Sequence, residues 1–500
     1  KIFFLIYKLY PLENNDFKFK NIVLDKKITN KKGLAPNFYA KIFNNIAISD
    51  SHYYQEKESP SRLELIQILN KEIIEYHIWI KLWEKISPKL SKGTLLINRE
   101  SFLLKETAVH LARKGFSIKK INKPHLYFEK SIEKEVEIFN RFIAPNINKL
   151  LNDFLSEEKV QILSKIIRKE FINDYKIYFS ALSYWKSKVD YFKSINVKAM
   201  METFSKLPVW YALKSILREN NIPIFNFQHG HTKEFCNMFK FASTFGEFVN
   251  SDFHFSYNGS TKRCLKFINF SDTKSKVYNV GSPYFQKFKH RFRFKNLGVD
   301  NILYVSTNVE DNNNPSIFSQ KINSIEKTKD EIEIIEKVFS KIERKIIFKS
   351  YPLVYKRKDY IVEKKISKFK NIKYIDNDYD LKYFQNNTKL IITSRGTSTL
   401  GWCMMMDKPL IFINYNDEYS VTDEFKKYAI TSIFFLERNH ENFLNSLKYI
   451  ISLNDKEINL IWQKKMTSRK KFLRKFFDSN YGGKNEAGKI ASDILFKKII

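Results

Sequence analysis

The segment of residues 388–414, TKLIITSRGTSTLGWCMMMDKPLIFIN, constrains the fold more than any other part of the chain. An apolar run from Leu390 to Thr393 predicts a strand, and a helix-like stretch then extends to about Asp407. Pro409 ends that helix, and a second apolar run from Leu410 to Asn414 predicts another strand. Strand, helix and strand in this order form a βαβ unit.

The polar turn inside this unit, Ser394-Arg395-Gly396-Thr397-Ser398-Thr399, is a candidate phosphate site. Its hydroxyls and amides lie where the helix starts, and a helix N-terminus attracts anions. Arg395 adds a planar cation suited to phosphate or carboxylate. In open α/β sheets, ligands bind at this end of the strands. The turn could equally be a helix cap without a ligand, but the segments described below favour a ligand.

Length and composition indicate a folded protein with at least two domains. The chain has 500 residues, which is more than one core usually supports, and its 43% hydrophobic content argues against disorder. Its formal net charge of +33 would attract nucleic acid, anionic lipid or anionic substrates. The charge is carried mostly by lysine and spread along a sequence that is rich in Ile, Asn and Phe, which indicates AT-rich codons. We therefore expect peripheral attachment to an anionic membrane surface, and no nucleic acid.

Cysteine usage and hydropathy indicate the compartment. Cys236, Cys264 and Cys403 have neither metal-ligand nor disulfide-framework spacing, which fits a reducing cytoplasm. No run of eighteen apolar residues occurs, so we expect no transmembrane helix. The expected location is cytoplasmic, peripheral at the inner face of the cytoplasmic membrane.

Two successive strand-helix rhythms predict an α/β fold of two Rossmann-like domains that face each other across a cleft, with extra N-terminal helical segments. The first domain covers residues 1–290, with a helical insertion at about 130–196. A basic linker at 286–300 leads to the second domain, residues 301–500, whose last part is mostly helical.

The loop Gln228-His229-Gly230-His231 follows a predicted strand of the first domain and is a candidate site. His229 is suited to act as a base or to contact an acceptor or a phosphate. Gly230 permits close approach of a ligand or a second segment. A surface loop without function is the other interpretation, but two histidines around one glycine at a strand end favour function. No Cys or Asp has the spacing of a zinc partner, so we expect no metal.

Further cleft candidates follow strands of the second domain. Lys349, Tyr351 and Pro352 follow one strand, where the lysine offers charge and the tyrosine a hydrogen bond or a stacking face. Glu310 and Asp311 follow another strand, where carboxylates are common without any function. The chain contains no GxxxxGK[ST], no GxGxxG after an opening strand and no GxSxG, which disfavours a P-loop ATPase, an ordinary NAD dehydrogenase and an α/β-hydrolase.

The order of these motifs resembles the bacterial surface-polysaccharide glycosyltransferases of GT-B architecture. The motifs are QHG at 228–230, GSP at 281–283, K-x-x-P at 349–352 and S-x-x-T-S-T at 394–399. The nearest types are the capsule and lipopolysaccharide Kdo-transferase-like proteins, and the CDP-glycerol glycerophosphotransferases are more distantly similar. The resemblance spans about residues 195–415.

The resemblance implies roles for particular residues. The family's HG pair matches His229 and Gly230, and its second histidine-proline pair, which contacts the donor phosphate, falls on Tyr351 and Pro352. Because tyrosine carries no positive charge, Lys349 is expected to supply that charge instead.

The serine-rich turn of these families, which binds the donor phosphate, falls on Ser394, Thr397, Ser398 and Thr399. In the glycerophosphotransferases an aspartate follows the first serine, whereas this chain has Arg395. This departure favours a sugar nucleotide, such as CMP-Kdo, over CDP-glycerol.

The function implied is transfer of a sugar, such as Kdo or a related acidic sugar, from a nucleotide donor to a bacterial surface glycan or glycolipid. The N-terminal half would bind the acceptor and the C-terminal half the donor. Helix amides and basic side chains would stabilise the leaving phosphate, so neither a metal nor a further cofactor is expected. Two alternatives stay open: a CDP-glycerol-type polyol-phosphate transferase, and a non-catalytic protein that binds polyanions.

Overall fold

The computed structural model describes most of residues 71–500. The residues outside this description are 1–70, 87, 127–129, 153–155, 205–206, 237–245, 249–250, 265–274, 285–293, 295–296, 308–323, 352–359, 376–380, 418 and 484–485. The candidates Glu310, Asp311 and Pro352 therefore lie outside the described residues, as does most of the predicted linker.

Six parallel strands form the first sheet, in the order β2-β1-β3-β4-β5-β6. Their bounds are β1 Thr94–Ile97, β2 Ser117–Lys120, β3 Val197–Thr203, β4 Ile224–Phe227, β5 Phe253–Ser256 and β6 Lys276–Asn279. The order reverses direction between β1 and β3, and ligands bind beside such a reversal, at the carboxyl ends of the strands.

Helices connect and cover these strands. They are α1 Lys71–Lys85, α2 Phe102–Arg113, α3 Lys130–Asn152, α4 Glu157–Lys186, α5 Val189–Ser194, α6 Pro208–Glu219 and the single turn α7 Thr261–Cys264. Helices α3 and α4 pack on each other between β2 and β3, within the predicted insertion at about 130–196. Pro208 occupies the first turn of α6, where its missing amide hydrogen costs nothing.

The second sheet also has six parallel strands, in the order β12-β11-β10-β7-β8-β9. Read from β9, this is the Rossmann strand order, with its reversal between β7 and β10. The strands are β7 Asn301–Val305, β8 Ile346–Lys349, β9 Ile372–Ile375, β10 Thr388–Ser394, β11 Leu410–Asn414 and β12 Phe434–Glu437. The predicted βαβ unit is confirmed, because β10 and β11 pair in parallel.

The helices of the second half are α8 to α15. Their bounds are α8 Ser324–Lys337, α9 Tyr360–Ile366, α10 Ser398–Met405, α11 Asp423–Ser432, α12 Phe443–Ser452, α13 Asp455–Lys464, α14 Met466–Phe476 and α15 Ala487–Ile499. Short 3-10 turns occur at Pro88–Leu90, Phe339–Lys341 and Leu381–Asn387.

Three apolar cores hold the fold together. One surrounds the second sheet, and two lie on opposite faces of the first. The last helix, α15, belongs to a core of the first sheet through Ala487, Ala491 and Leu495, although the sequence prediction assigned residues 301–500 to the second domain. Two Rossmann-like sheets with covering helices confirm the predicted α/β, GT-B-like fold.

Candidate functional site

The carboxyl ends of the two sheets meet at one junction. A methyl group added to Gly230, in the loop after β4, would lie 3.7 Å from Cβ of Ser398, the first residue of α10. The segment beyond that loop reaches the second domain, where Cys236 pairs with Val421 in an isolated antiparallel bridge. The structure thus brings together the histidine loop and the serine-rich turn, which lie about 170 residues apart in sequence.

Gln228 fixes the shape of the histidine loop from a fully buried position. Its side-chain amide donates to the carbonyl of Gly230 at 2.8 Å and to Glu234, and its carbonyl oxygen accepts from the backbone of Tyr257 at 2.7 Å. With these bonds made, Gln228 positions its neighbours and is turned away from solvent.

His229 is the exposed residue of this loop. Its backbone N–H donates to Glu247 at 3.2 Å, and its ring stacks against Phe204, with centroids 6.1 Å apart. The surrounding protein desolvates the imidazolium, and Arg99 and Lys233 repel it, which together lower the pKa of His229 to about 4. The ring is therefore neutral near pH 7 and has a nitrogen able to accept a proton.

His231 lies one glycine further along and is buried. Its Nε2 is 2.9 Å from the carbonyl oxygen of Phe477, which can only accept, so the N–H form of that nitrogen donates. A methyl added to Gly401 of α10 would lie 2.9 Å from this histidine. His231 therefore joins the histidine loop to α10 and to the end of α14.

The serine-rich turn owes its shape to two residues. Arg395 has φ 61°, a left-handed conformation that is uncommon for a side-chain-bearing residue. Gly396 donates to the carbonyl of Tyr419 at 2.7 Å, and any Cβ on it would lie 2.9 Å from that same oxygen. The glycine is needed for this close approach of two backbone segments.

The hydroxyls of the turn do not cap helix α10. Thr397 is the N-cap residue, but its side chain makes no capping hydrogen bond, and its Oγ1 is buried with no hydrogen-bond partner among the described residues. Ser398 is the only partly exposed residue from Ser394 to Thr399. The hydroxyl and amide of Ser398 therefore lie at the junction, beside Gly230.

Arg395 points away from solvent. Its Nε donates to Asp417 at 3.0 Å, its guanidinium stacks 3.8 Å from the ring centroid of Tyr415, and its Nη2 lies 3.7 Å from a carboxylate oxygen of Asp330. Burial raises the pKa of Asp417, and the arginine opposes that rise. The side chain is 1% exposed, so the contact of Arg395 with a donor phosphate stays a prediction.

Lys349 and Tyr351 lie at the carboxyl end of β8, two strands and so roughly 10 Å from β10. The lysine is buried, and its Nζ donates to the carbonyl of Ser350 at 3.3 Å. Tyr351 is half-buried. Both residues lie on the same edge of the sheet as the serine-rich turn.

Sequence reasoning overlooked several residues around His229. Glu247 accepts from Lys233 in a buried ion pair, Arg99 lies two residues beyond β1, and Phe204 directly follows β3. The position after a buried strand nominated Gln228 and His229, and the same signal would have found Arg99 and Phe204. No such signal marked Glu247, because this residue lies before β5 and not just after a strand.

Among the residues that the structure describes, no three His, Cys, Asp or Glu side chains cluster as a metal site. Over the same residues, no helix has the length and apolar content needed to cross a bilayer.

Neither a protein-family model nor a curated protein matches this sequence. Solved structures with a similar fold include S. aureus MnaA with UDP, at 12% identity and TM-score 0.47, over 82% of this chain and 98% of that one. Acinetobacter baumannii MurG is 13% identical, with TM-score 0.42, over 81% and 99%. Neisseria meningitidis UDP-GlcNAc 2-epimerase bound to UDP-GlcNAc is 13% identical, with TM-score 0.46, over 81% and 99%. At TM-scores below 0.5 these likenesses indicate no substrate or reaction, and the fold assignment stands on the two strand orders.

Proposed function

We propose that this chain is a metal-independent glycosyltransferase of GT-B type. It transfers a sugar, such as Kdo or a related acidic sugar, from a nucleotide donor to a bacterial surface glycan or glycolipid. The histidine loop of the first domain faces the acceptor, and the turn from Ser394 to Thr399 holds the donor phosphate.

The observation that carries the proposal is the juxtaposition of His229 with an uncapped helix start. His229 is exposed and neutral, and its neighbour Gly230 lies against Ser398. Helix α10 begins there with its hydroxyls uncommitted to capping, so amides and hydroxyls are available to a phosphate.

This geometry fits a single displacement. The acceptor hydroxyl oxygen bonds to the anomeric carbon while the bond from that carbon to the donor phosphate oxygen breaks. His229 accepts the hydroxyl proton, and the departing phosphate takes the electron pair. Amides at the start of α10 and the hydroxyl of Ser398 stabilise the charge that develops there.

The test is a Ser398→Ala variant, which removes one hydroxyl and keeps the backbone amides. We expect its affinity for UDP or CMP to fall about fivefold, which is ~1 kcal/mol, and further if the hydrogen bond is charge-assisted and buried. Its melting temperature should stay unchanged, because Ser398 caps nothing. Nucleotide titration and thermal melting on the same samples give both values.

Ser452→Ala is a matched control, because Ser452 lies far from Ser398 in the sequence. Its exposed hydroxyl donates to the carbonyl of Tyr449 in its own helix. The proposal is wrong if Ser398→Ala loses about 1 kcal/mol of stability while its nucleotide affinity is kept, as a plain helix-start role requires. A protein that only binds polyanions would bind UDP and CMP no better than inorganic phosphate. A CDP-glycerol-type transferase would prefer CDP-glycerol to CMP- and UDP-sugars.

We further propose that the protein works at the inner face of the cytoplasmic membrane and attaches to anionic lipid by charge. The support is a run of basic residues from Lys464 to Lys475, which holds seven Lys or Arg and no acidic residue. Lys470, Lys471 and Arg474 are exposed on one side of α14, whereas Phe472, Leu473 and Phe476 are buried on the other.

A further inference from the structure

Three side chains form a ledge at the reversal point of the first sheet. Arg99, Phe204 and His229 each lie one or two residues beyond the end of β1, β3 and β4, which are neighbouring strands. All three therefore lie at the carboxyl edge of the sheet, where an open α/β sheet binds its ligand.

The ledge is held in place by specific contacts. Arg99 Nη1 donates to the carbonyl of Phe204 at 2.7 Å, and its guanidinium carbon lies 5.8 Å from the centroid of the Phe204 ring. That ring stacks on His229 at an interplanar angle of 22°. Gly246 makes room for the ring, since a Cβ there would lie 2.4 Å from Phe204. Arg99 and His229 are exposed and Phe204 is half-buried.

Three carboxylates near the ledge are paired with lysines. Glu100 is paired with Lys105 at 3.0 Å and with Lys120 at 2.8 Å. Two buried pairs lie behind the ledge, Glu202 with Lys214 and Glu247 with Lys233.

Arg99 supplies the positive charge of the ledge. Among the described residues it forms no ion pair, and one guanidinium nitrogen is engaged with a neutral carbonyl. Its remaining donors face solvent at the ledge, and a guanidinium fork matches the geometry of carboxylate and phosphate. An exposed, unpaired arginine beside an exposed histidine suits a sugar that carries an anionic group, because the arginine can bind the anion while the histidine contacts a hydroxyl.

We propose that Arg99, Phe204 and His229 form an acceptor subsite that binds a sugar carrying a carboxylate or a phosphate. Arg99 binds the anionic group, Phe204 holds Arg99 and His229 side by side, and His229 faces the hydroxyl to be glycosylated. The inference rests on the proposed function and names the class of its acceptor.

The test measures binding of glucuronate, glucose 6-phosphate and glucose to the full chain by saturation-transfer NMR. Both anionic sugars contain the same ring as glucose, and they separate the two sources of negative charge. We expect at least one of them to bind about tenfold more tightly than glucose, and Arg99→Gln to remove that preference. Arg141→Gln is the control, because Arg141 is exposed and paired with Glu137 on α3.

UDP and CMP affinities are measured on the same samples, and Arg99→Gln should leave both unchanged, because the donor turn lies in the other domain. The inference is overturned if the wild type binds glucose as tightly as both anionic sugars, or if Arg99→Gln keeps the preference. Absence of binding to both UDP and CMP overturns the proposed function instead.

Discussion

At the scale of single residues, His229 and His231 show how one glycine separates two roles. His229 is exposed at the junction, whereas His231 is 2% exposed and donates to Phe477. Desolvation lowers the pKa of both rings, to about 4 for His229 and about 3 for His231. The first is thus the ring that the proposed mechanism uses, and the second is a buried ring that links the histidine loop to the end of α14.

We expect the buried ring of His231 to make the stability of the protein sensitive to acid. Its pKa falls from 6.5 in the unfolded chain to about 3 in the folded one, so between these values the unfolded chain binds more protons. Stability is therefore lost as the pH falls below about 6.5, by up to ~1.4 kcal/mol per pH unit. Between about pH 7 and about pH 5 the expected loss is about 2 kcal/mol.

His231→Gln isolates this contribution, because glutamine can donate to Phe477 without titrating. We expect the melting temperature of the wild type to fall more steeply from neutral to acidic pH than that of the variant. The buried ring of His254 titrates in both proteins, so its contribution cancels in the comparison. Parallel melting curves over this pH range would contradict a neutral, buried His231.

Arg395 shows where sequence reasoning at the residue scale ends. Its place in a serine-rich turn predicted a phosphate contact, and its charge and position along the chain were all that the sequence offered. Its burial depends on Tyr415 and Asp417, which follow the next strand, and on Asp330 from α8. Asp417 in turn accepts from Tyr419, whose carbonyl accepts from Gly396. Arg395 thus stabilises the turn from the protein interior, through contacts that only the folded sheet creates.

At the scale of elements, the last helix returns to the first domain. Gly488 of α15 lies so close to α2 that an added Cβ would be 2.4 Å from Cβ of Glu106. Lys114, which directly follows α2, forms an ion pair at 2.6 Å with Asp493 of α15. The glycine is what allows α15 to cover this core at short distance.

Gly488→Ala should therefore separate α15 from α2. Overpacking of this kind typically costs about 1–3 kcal/mol, which outweighs the gain in helix propensity from alanine. Gly259→Ala is a suitable control, because its new Cβ would meet only the amide nitrogen of Asn279 at 3.6 Å. Thermal melting should show a lower melting temperature for the first variant alone, and equal values would mean that the helix contact yields without cost.

The elements that the sequence predicted are those with long apolar runs or a proline or glycine boundary. Helix α6 starts at Pro208 and ends at Glu219 as predicted, and the strand at Ile372–Ile375 is also confirmed. The edge strands β2 and β12 were not predicted. Strand β2 contains a single apolar residue, Ile118, and the apolar run of β12 follows helix α11 without a proline or glycine boundary. The pairing of α15 with α2 was also hidden, since periodicity shows which face of a helix is buried but not what covers it.

At the scale of the whole molecule, the two domains are joined by the end of α14. Ser479 donates to the carbonyl of Tyr257, Asp478 accepts from Ser282, and Asn258 donates to Phe476. These bonds attach the second domain to the carboxyl ends of β5 and β6. The basic outer side of α14 therefore belongs to the same helix that holds the two domains together.

The net charge of +33 leads to the last prediction, which concerns the membrane. We expect reversible binding to vesicles that contain anionic lipid, with Lys470, Lys471 and Arg474 as contact residues. Each basic residue near such a surface contributes about 1 kcal/mol, so replacing all three by glutamine should weaken binding about a hundredfold. Vesicle co-sedimentation at increasing salt measures the effect.

The matched control replaces Lys364, Lys368 and Lys370 by glutamine. These lysines are exposed outside α14, and their replacement removes the same amount of charge. If only total charge mattered, both triple variants would lose equal affinity, and a specific role for α14 would be wrong. At about 1 M salt the Debye length is ~3 Å, so attachment by charge should vanish. Binding that survives such salt would indicate insertion of apolar side chains, whereas no binding to anionic vesicles at low salt would show that the lysines reflect codon usage alone.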